Sequence, residues 1–187
     1  MTLGEHSGEI DQYLLLLSYA PAEHLIRLSQ RGCRIIFAPT VAHYLVSALA
    51  DRRRIARGYP PLGSRDREAI VRRYGAEGSV VAAYDEPSDV LVLPYARCGP
   101  DKLRSALHEL GHAMTWERLA GREAEFAHCL AALPTRIQLH LLCGYDADLA
   151  TRVHEAFAEG YAMLVCERVA ELGEMASELI GILSECV

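Results

Sequence analysis

The sequence contains no C-x-x-C pair, a single lysine (Lys102), no excess of positive charge and no apolar run as long as a bilayer is thick. Each lack removes a class of protein. The six cysteines, Cys33, Cys98, Cys129, Cys143, Cys166 and Cys186, are scattered through the chain. That argues against disulfide stapling and against a cysteine-ligated metal site, and the cysteines read as small apolar residues of a reducing compartment. A net charge of −6 argues against nucleic acid or an anionic membrane as partner, since either favours a basic surface. A membrane helix needs roughly 20 apolar residues in a row, and none is present. The opening "MTLGEHSGEIDQ" has neither the basic nor the apolar region of a signal peptide. The expected location is the cytoplasm, with export lacking a classical signal left open. Basic charge rests almost wholly on arginine, and no function is drawn from that bias.

What is present is ordinary for a globular chain. Its 187 residues, 51% hydrophobic and 24% charged, are enough for one domain with a substantial core. "YLLLLS" (residues 13–18) reads as a buried strand or the end of a helix. "PAEHLIRLSQRG" reads as a helix with Pro21 in its first turn and Gly32 as its stop. "CRIIFA" is a strand by its β-branched and aromatic content, and "PTVAHYLVSALADRRR" follows as one helix with Thr40 as N-cap. The arginines Arg52, Arg53 and Arg54 read as a solvated helix end, favourable to the dipole. Residues 57–78 carry glycine, proline and many charges around a short helical piece, so they form an exposed connection and the place for a flap if there is one. "SVVAAYD" and "DVLVLPY" flank Glu86-Pro87-Ser88, which predicts a hairpin. From Pro100 onward the pattern is helical. Strands in the first half and helices in the second suit an α+β fold with a small mixed sheet.

Within the helical half stands "SALHELGHAMTW". In a helix starting near Asp101, Leu103, Ala106, Leu107, Leu110, Ala113 and Met114 form one core-facing stripe. At about 100° per residue, His108 and His112 lie some 140–180° around from Leu103. Two histidines one turn apart on a helix can converge on one zinc ion, and Glu109 then projects beside them as a base for the metal-bound water. A catalytic zinc site needs a third protein ligand. The metzincin continuation fails, because Thr115 and Arg118 occupy its glycine and histidine positions.

The better candidate lies in "HEAFAEGYAMLV". On a helix, Val153, Ala156, Phe157, Gly160 and Leu164 make one apolar stripe. Glu155 and Glu159 sit one turn apart on the other side, among Ala158, Ala162 and Cys166. Such a helix is buried nearly all round, and two buried carboxylates cost on the order of several kcal/mol unless cations or donors meet them. Glu155 is therefore the expected third ligand. Glu159 is expected to accept a hydrogen bond from the outward nitrogen of a zinc histidine, His108 by preference. Gly111, Ala158 and Ala162 would let the two helices approach closely.

"HELGH" followed downstream by "EAFAE" resembles the gluzincin metallopeptidases, in particular the group containing the anthrax lethal factor catalytic domain and the clostridial Pro-Pro endopeptidases. The resemblance spans residues 101–165 and extends more loosely to the upstream order helix 21–31, strand 33–38, helix 40–54, hairpin 79–94. It implies a single zincin-like catalytic domain over residues 1–187, with a strand-bearing lobe at 1–99 and a helical lobe at 100–187. By it, His108, His112 and Glu155 look like zinc ligands, Glu109 like the general base, and Glu159 like the carboxylate behind them. The group carries an oxyanion-stabilising tyrosine two turns before the glutamate ligand, where this sequence has Asp148.

The expected activity is hydrolysis of a peptide bond: zinc acidifies water and polarises the carbonyl, while Glu109 takes the proton and delivers it to the leaving amine. Tyr145 is the first candidate for the oxyanion donor and His154 the second. "VLVLPY" or "VVAAYD" is the candidate sheet edge for an extended peptide. Two other functions remain open. One is a zinc-dependent biosynthetic hydrolase or cyclase acting on a non-peptide amide or ester, and the other is a non-catalytic metal-binding protein, for which Glu109 would have no use.

Overall fold

A continuous apolar run marks a strand covered on both faces, and the run Val90–Pro94 (β3) is buried at all five residues. In the computed structural model, which describes residues 7–75, 82–95, 102–142, 148–166 and 177–186, β3 lies at the centre of a three-stranded sheet. Strand β1 (Arg34–Ala38) pairs with it in parallel, and β2 (Ala83–Asp85) pairs with it antiparallel. Successive side chains of a strand point to opposite faces. Leu91 and Leu93 accordingly enter the larger core, while Val90 and Val92 enter a smaller one with Val41, Tyr44, Leu45 and Ala50. Of the two stretches expected to offer a free sheet edge, "VLVLPY" is therefore interior, because both its sides are paired. The edge belongs to β2, and the "SVV" that precedes it lies outside the described residues.

The helices follow the periodicity of the sequence with two exceptions. "YLLLLS" resolves as the end of α1 (Ser7–Leu17), burying Tyr13 and Leu17 while Leu14 and Leu15 face out. Helix α2 (Ala22–Arg31) stops at Gly32, whose φ of 89° is the left-handed cap that glycine adopts without strain. The single helix expected over 40–54 is two, α3 (Val41–Leu45) and α4 (Ala48–Ala56). Thr40 caps the first, and Ser47 interrupts the run by turning extended and accepting a hydrogen bond from the Ala50 amide at 3.1 Å. An N-cap serine inside a periodic pattern competes with helix continuation. Helix α5 (Ser64–Tyr74) buries none of its residues and is longer than the short piece expected there.

The arginine cluster is the second exception. Only Arg52 points to solvent. Arg53 donates to the Ser88 and Gly32 carbonyls at 2.9 and 3.0 Å, and Arg54, 3% exposed, donates from one terminal nitrogen to both oxygens of Asp85 at 3.0 and 3.1 Å. These contacts tie α4 to the turn between β2 and β3, a 3-10 segment (Glu86–Ser88) ending at Asp89 with φ 52°.

The helical half comprises α6 (Lys102–Arg118), α7 (Glu123–Ala132), α8 (Thr135–Leu141), α9 (Leu149–Val165) and α10 (Ser177–Cys186). Ala106, Leu107, Leu110, Ala113 and Met114 on α6 are all fully buried, as the stripe requires. Helix α9 is buried at Val153 and from Ala156 through Met163. It packs along α6 on one side and against α7, α8 and α10 on others. The chain is thus α+β, mostly helical with a small mixed sheet. No helix among the described residues is long and apolar enough to cross a membrane.

Candidate metal centre

Helices α6 and α9 touch through backbone at Gly111. A Cβ there would stand 2.7 Å from Ala158 Cα and 2.9 Å from its carbonyl oxygen. Such contact between two backbones is open only to glycine, and it brings the polar side of α9 against the polar side of α6. We expect Gly111→Ala to force the helices apart. The cost, about 1–3 kcal/mol for overpacking a rigid contact, is measurable by urea denaturation and should be accompanied by weaker metal binding.

Across this contact the side chains converge. His108 Nε2 and His112 Nε2 are 3.1 Å apart. Glu155 Oε2 lies 3.4 Å from the first and Glu155 Oε1 3.6 Å from the second. Atoms at the corners of a tetrahedron about 2.0–2.2 Å from a central zinc stand about 3.3–3.6 Å from one another. Both Glu155 distances fall in that range and the histidine pair, at 3.1 Å, stands slightly closer. In chemistry the three residues fit, two imidazoles and one carboxylate being a known donor set for catalytic zinc. Among the described residues they are the one group of this kind.

The ring nitrogens turned away from this point are held from behind. His108 Nδ1 meets Glu159 Oε2 at 3.2 Å, and Glu159, 1% exposed, also accepts from Arg104 Nε at 2.8 Å. An acceptor on Nδ1 keeps a proton there, so that Nε2 is the nitrogen that gives up its proton and turns a lone pair to the cluster when the ring is neutral. Burial alone would raise the Glu159 carboxyl, but His108 and Arg104 outweigh it and hold it below the ordinary range.

Glu109 projects beside the histidines toward the sheet, where its Oε2 accepts the Tyr84 backbone N–H at 2.7 Å. That amide lies on strand β2, so the strand at the sheet edge among the described residues borders the cluster. Burial raises the Glu109 pKa, only partly opposed by His112, His108 and the Tyr84 amide. A carboxylate poised upward in pKa suits a proton acceptor near neutrality.

Charge in the metal-free cluster is set by proton sharing. Burial lowers the His108 pKa, but the Glu155, Glu159 and Glu109 carboxylates outweigh it and push it up to about 9. Burial raises Glu155, but the two imidazoles outweigh that and hold it at about 2. A raised imidazole stabilises the fold fully below its ordinary value near 6.5 and loses that contribution as pH climbs to about 9. A metal must displace the same proton. Zinc affinity should therefore rise with pH between about 6.5 and 9. Titration calorimetry of the metal-free protein at both ends of that window checks this, and a flat profile contradicts it.

The remaining candidates are placed as follows. Tyr145 lies outside the described residues. His154 is half-buried on α9 beside Glu155. Asp148 is the N-cap of α9, accepting from the Thr151 amide at 3.0 Å and the Thr151 hydroxyl at 3.1 Å, an exposed local role. Sequence reasoning passed over Arg104 and Tyr84. Arg104 precedes His108 by one helical turn on the same face, which was a usable signal, whereas no local pattern singles out a backbone amide. The chain was compared with protein-family models, curated proteins and solved structures, and none of the three comparisons returned a match.

Proposed function

We propose that this chain is a zinc-dependent metallopeptidase of the gluzincin type, with a zincin-like domain. The observation that carries the reading is the convergence of His108 Nε2, His112 Nε2 and the Glu155 carboxylate at 3.1–3.6 Å with Glu109 beside them. The resemblance of "HELGH" and "EAFAE" to that group supports it. His108, His112 and Glu155 would hold the ion. Bound there, zinc supplies Lewis acidity, acidifying water and polarising a carbonyl.

The chain's own residues account for the rest. Glu109 accepts the proton of the attacking water and returns it to the departing amine. Glu159 keeps the His108 ring oriented through Nδ1. Strand β2 would receive an extended peptide through its remaining outward backbone groups, the Tyr84 N–H being taken by Glu109. Tyr145 remains the candidate oxyanion donor. The partner is a peptide or a small amide, with neither nucleic acid nor membrane.

One observation favours a second reading. Asp148, at the place of the group's oxyanion tyrosine, is committed to capping α9, which suits a zinc-dependent hydrolase or cyclase acting on a non-peptide amide or ester. Metal analysis followed by digestion of a peptide library separates the readings. About one zinc per chain and cleavage blocked by chelator and restored by zinc support the peptidase. Zinc without peptide cleavage favours the alternative, and no zinc after careful preparation removes both.

A further inference from the structure

The sequence motif ends at His108, but the charge network behind it continues one turn further back along α6. Arg104 reaches across to α9 and places Nε 2.8 Å and a terminal nitrogen 2.5 Å from the same oxygen, Glu159 Oε1. The other oxygen, Oε2, meets His108 Nδ1 at 3.2 Å. The carboxylate is thereby divided between a cation and an imidazole, each on its own oxygen.

We propose that Arg104 is a positioning residue for metal binding, acting through Glu159 to hold the His108 ring in the ligating orientation; the inference rests on the metal-centre reading above. The physical argument is one of freedom. Glu159 is 1% exposed on a helix packed nearly all round. A buried carboxylate deprived of its cation turns toward whatever donor or water it can reach. Two guanidinium contacts to Oε1 remove that choice, so Oε2 stays in line with Nδ1. The guanidinium is also a positive charge near the ion, which by itself would weaken metal binding. Its side chain is 38% exposed, so solvent screens that repulsion, while the orienting contact lies on the buried side and is not screened. Positioning therefore wins.

The test is zinc affinity of the metal-free protein, read by competition with a chromogenic chelator at fixed pH, alongside thermal melts in chelator. Loss of a direct partner of a ligating histidine typically weakens metal binding roughly 10–100-fold. Acting one step further out, Arg104→Met should weaken it by about tenfold, the lower end of that range. In a Glu159→Gln background the same change should alter affinity less than about threefold, because the path through which Arg104 acts is already cut. A role confined to packing would move the melt and leave this non-additivity absent. If Arg104→Met does not fold, Arg104→Gln carries the same comparison. Wild-type-like or tighter zinc binding by the folded variant overturns the proposal, as does an equal loss in both backgrounds. Failure of the wild-type protein to bind zinc would instead overturn the metal-centre reading, and this inference with it.

Discussion

On the metallopeptidase reading, Glu109→Gln should leave a protein that binds one zinc ion per chain as the wild type does and hydrolyses its substrate roughly 10²–10⁴-fold more slowly. Glutamine keeps the shape of the side chain, and its amide oxygen can still accept the Tyr84 N–H that Glu109 Oε2 accepts at 2.7 Å. The contact between α6 and the sheet edge therefore survives. What is lost is a group able to take a proton. The barrier rises by about 3–5 kcal/mol, the equivalent of that rate loss. The fold should not suffer, because the carboxylate is a charge that burial already disfavours. Zinc content, circular dichroism and single-turnover rates on the same preparation check all three parts. Full activity with zinc retained would mean that another group is the base. Loss of zinc together with activity would mean that Glu109 belongs to the ligand set.

The parts of this site that could be read from sequence are those governed by helical periodicity. The stripe from Ala106 to Met114 dictates which side of α6 is buried, and so turns His108 and His112 to the same opposite side. The small residues around Glu155 and Glu159 made a solvated helix face implausible, and α9 is indeed enclosed. The pairing of Glu159 with His108 Nδ1 followed from chemistry, since a buried carboxylate and a histidine one helix away answer each other's needs. The misreadings share a different cause. Arg53 and Arg54 carry no local mark separating them from Arg52, and only the arrival of the β2–β3 turn beside α4 buries Arg54 and half-buries Arg53. The helix break at Ser47 depended on one hydroxyl choosing the Ala50 amide over solvent. Strand β3 and strand β2 both looked capable of lying at an edge, because strand order is a property of pairing over distance and not of either segment.

The turn that misled the reading of the arginines is also where the largest stability effect is expected. Asp89 is fully buried at φ 52°. It accepts from Arg31 at 2.9 and 3.2 Å, from Arg57 at 3.1 Å and from the Tyr84 hydroxyl at 2.9 Å. Arg31 in turn donates to the Ala113 carbonyl at 3.0 Å and to Glu117 at 3.1 Å, both on α6. One carboxylate thus fixes the hairpin against the helix that bears His108 and His112, with Tyr84 as the shared residue. Asp89→Ala leaves the guanidiniums without their common acceptor and asks alanine to hold a left-handed backbone. Breaking a buried pair costs about 3–5 kcal/mol and the backbone about 1–2 more. Solvent at Arg31 and Arg57, 22% and 38% exposed, trims the first figure, so roughly 3–4 kcal/mol is expected in urea denaturation. Asp89→Asn tolerates the backbone and isolates the charge. Burial raises the Asp89 pKa, but Arg31 and Tyr84 outweigh it and depress it. A depressed carboxyl contributes stability above its unfolded value near 4 and loses it as pH falls further. Wild-type protein should therefore destabilise more steeply than Asp89→Asn below about pH 4. Parallel acid profiles would show that the charge of Asp89 does not hold the hairpin to α6.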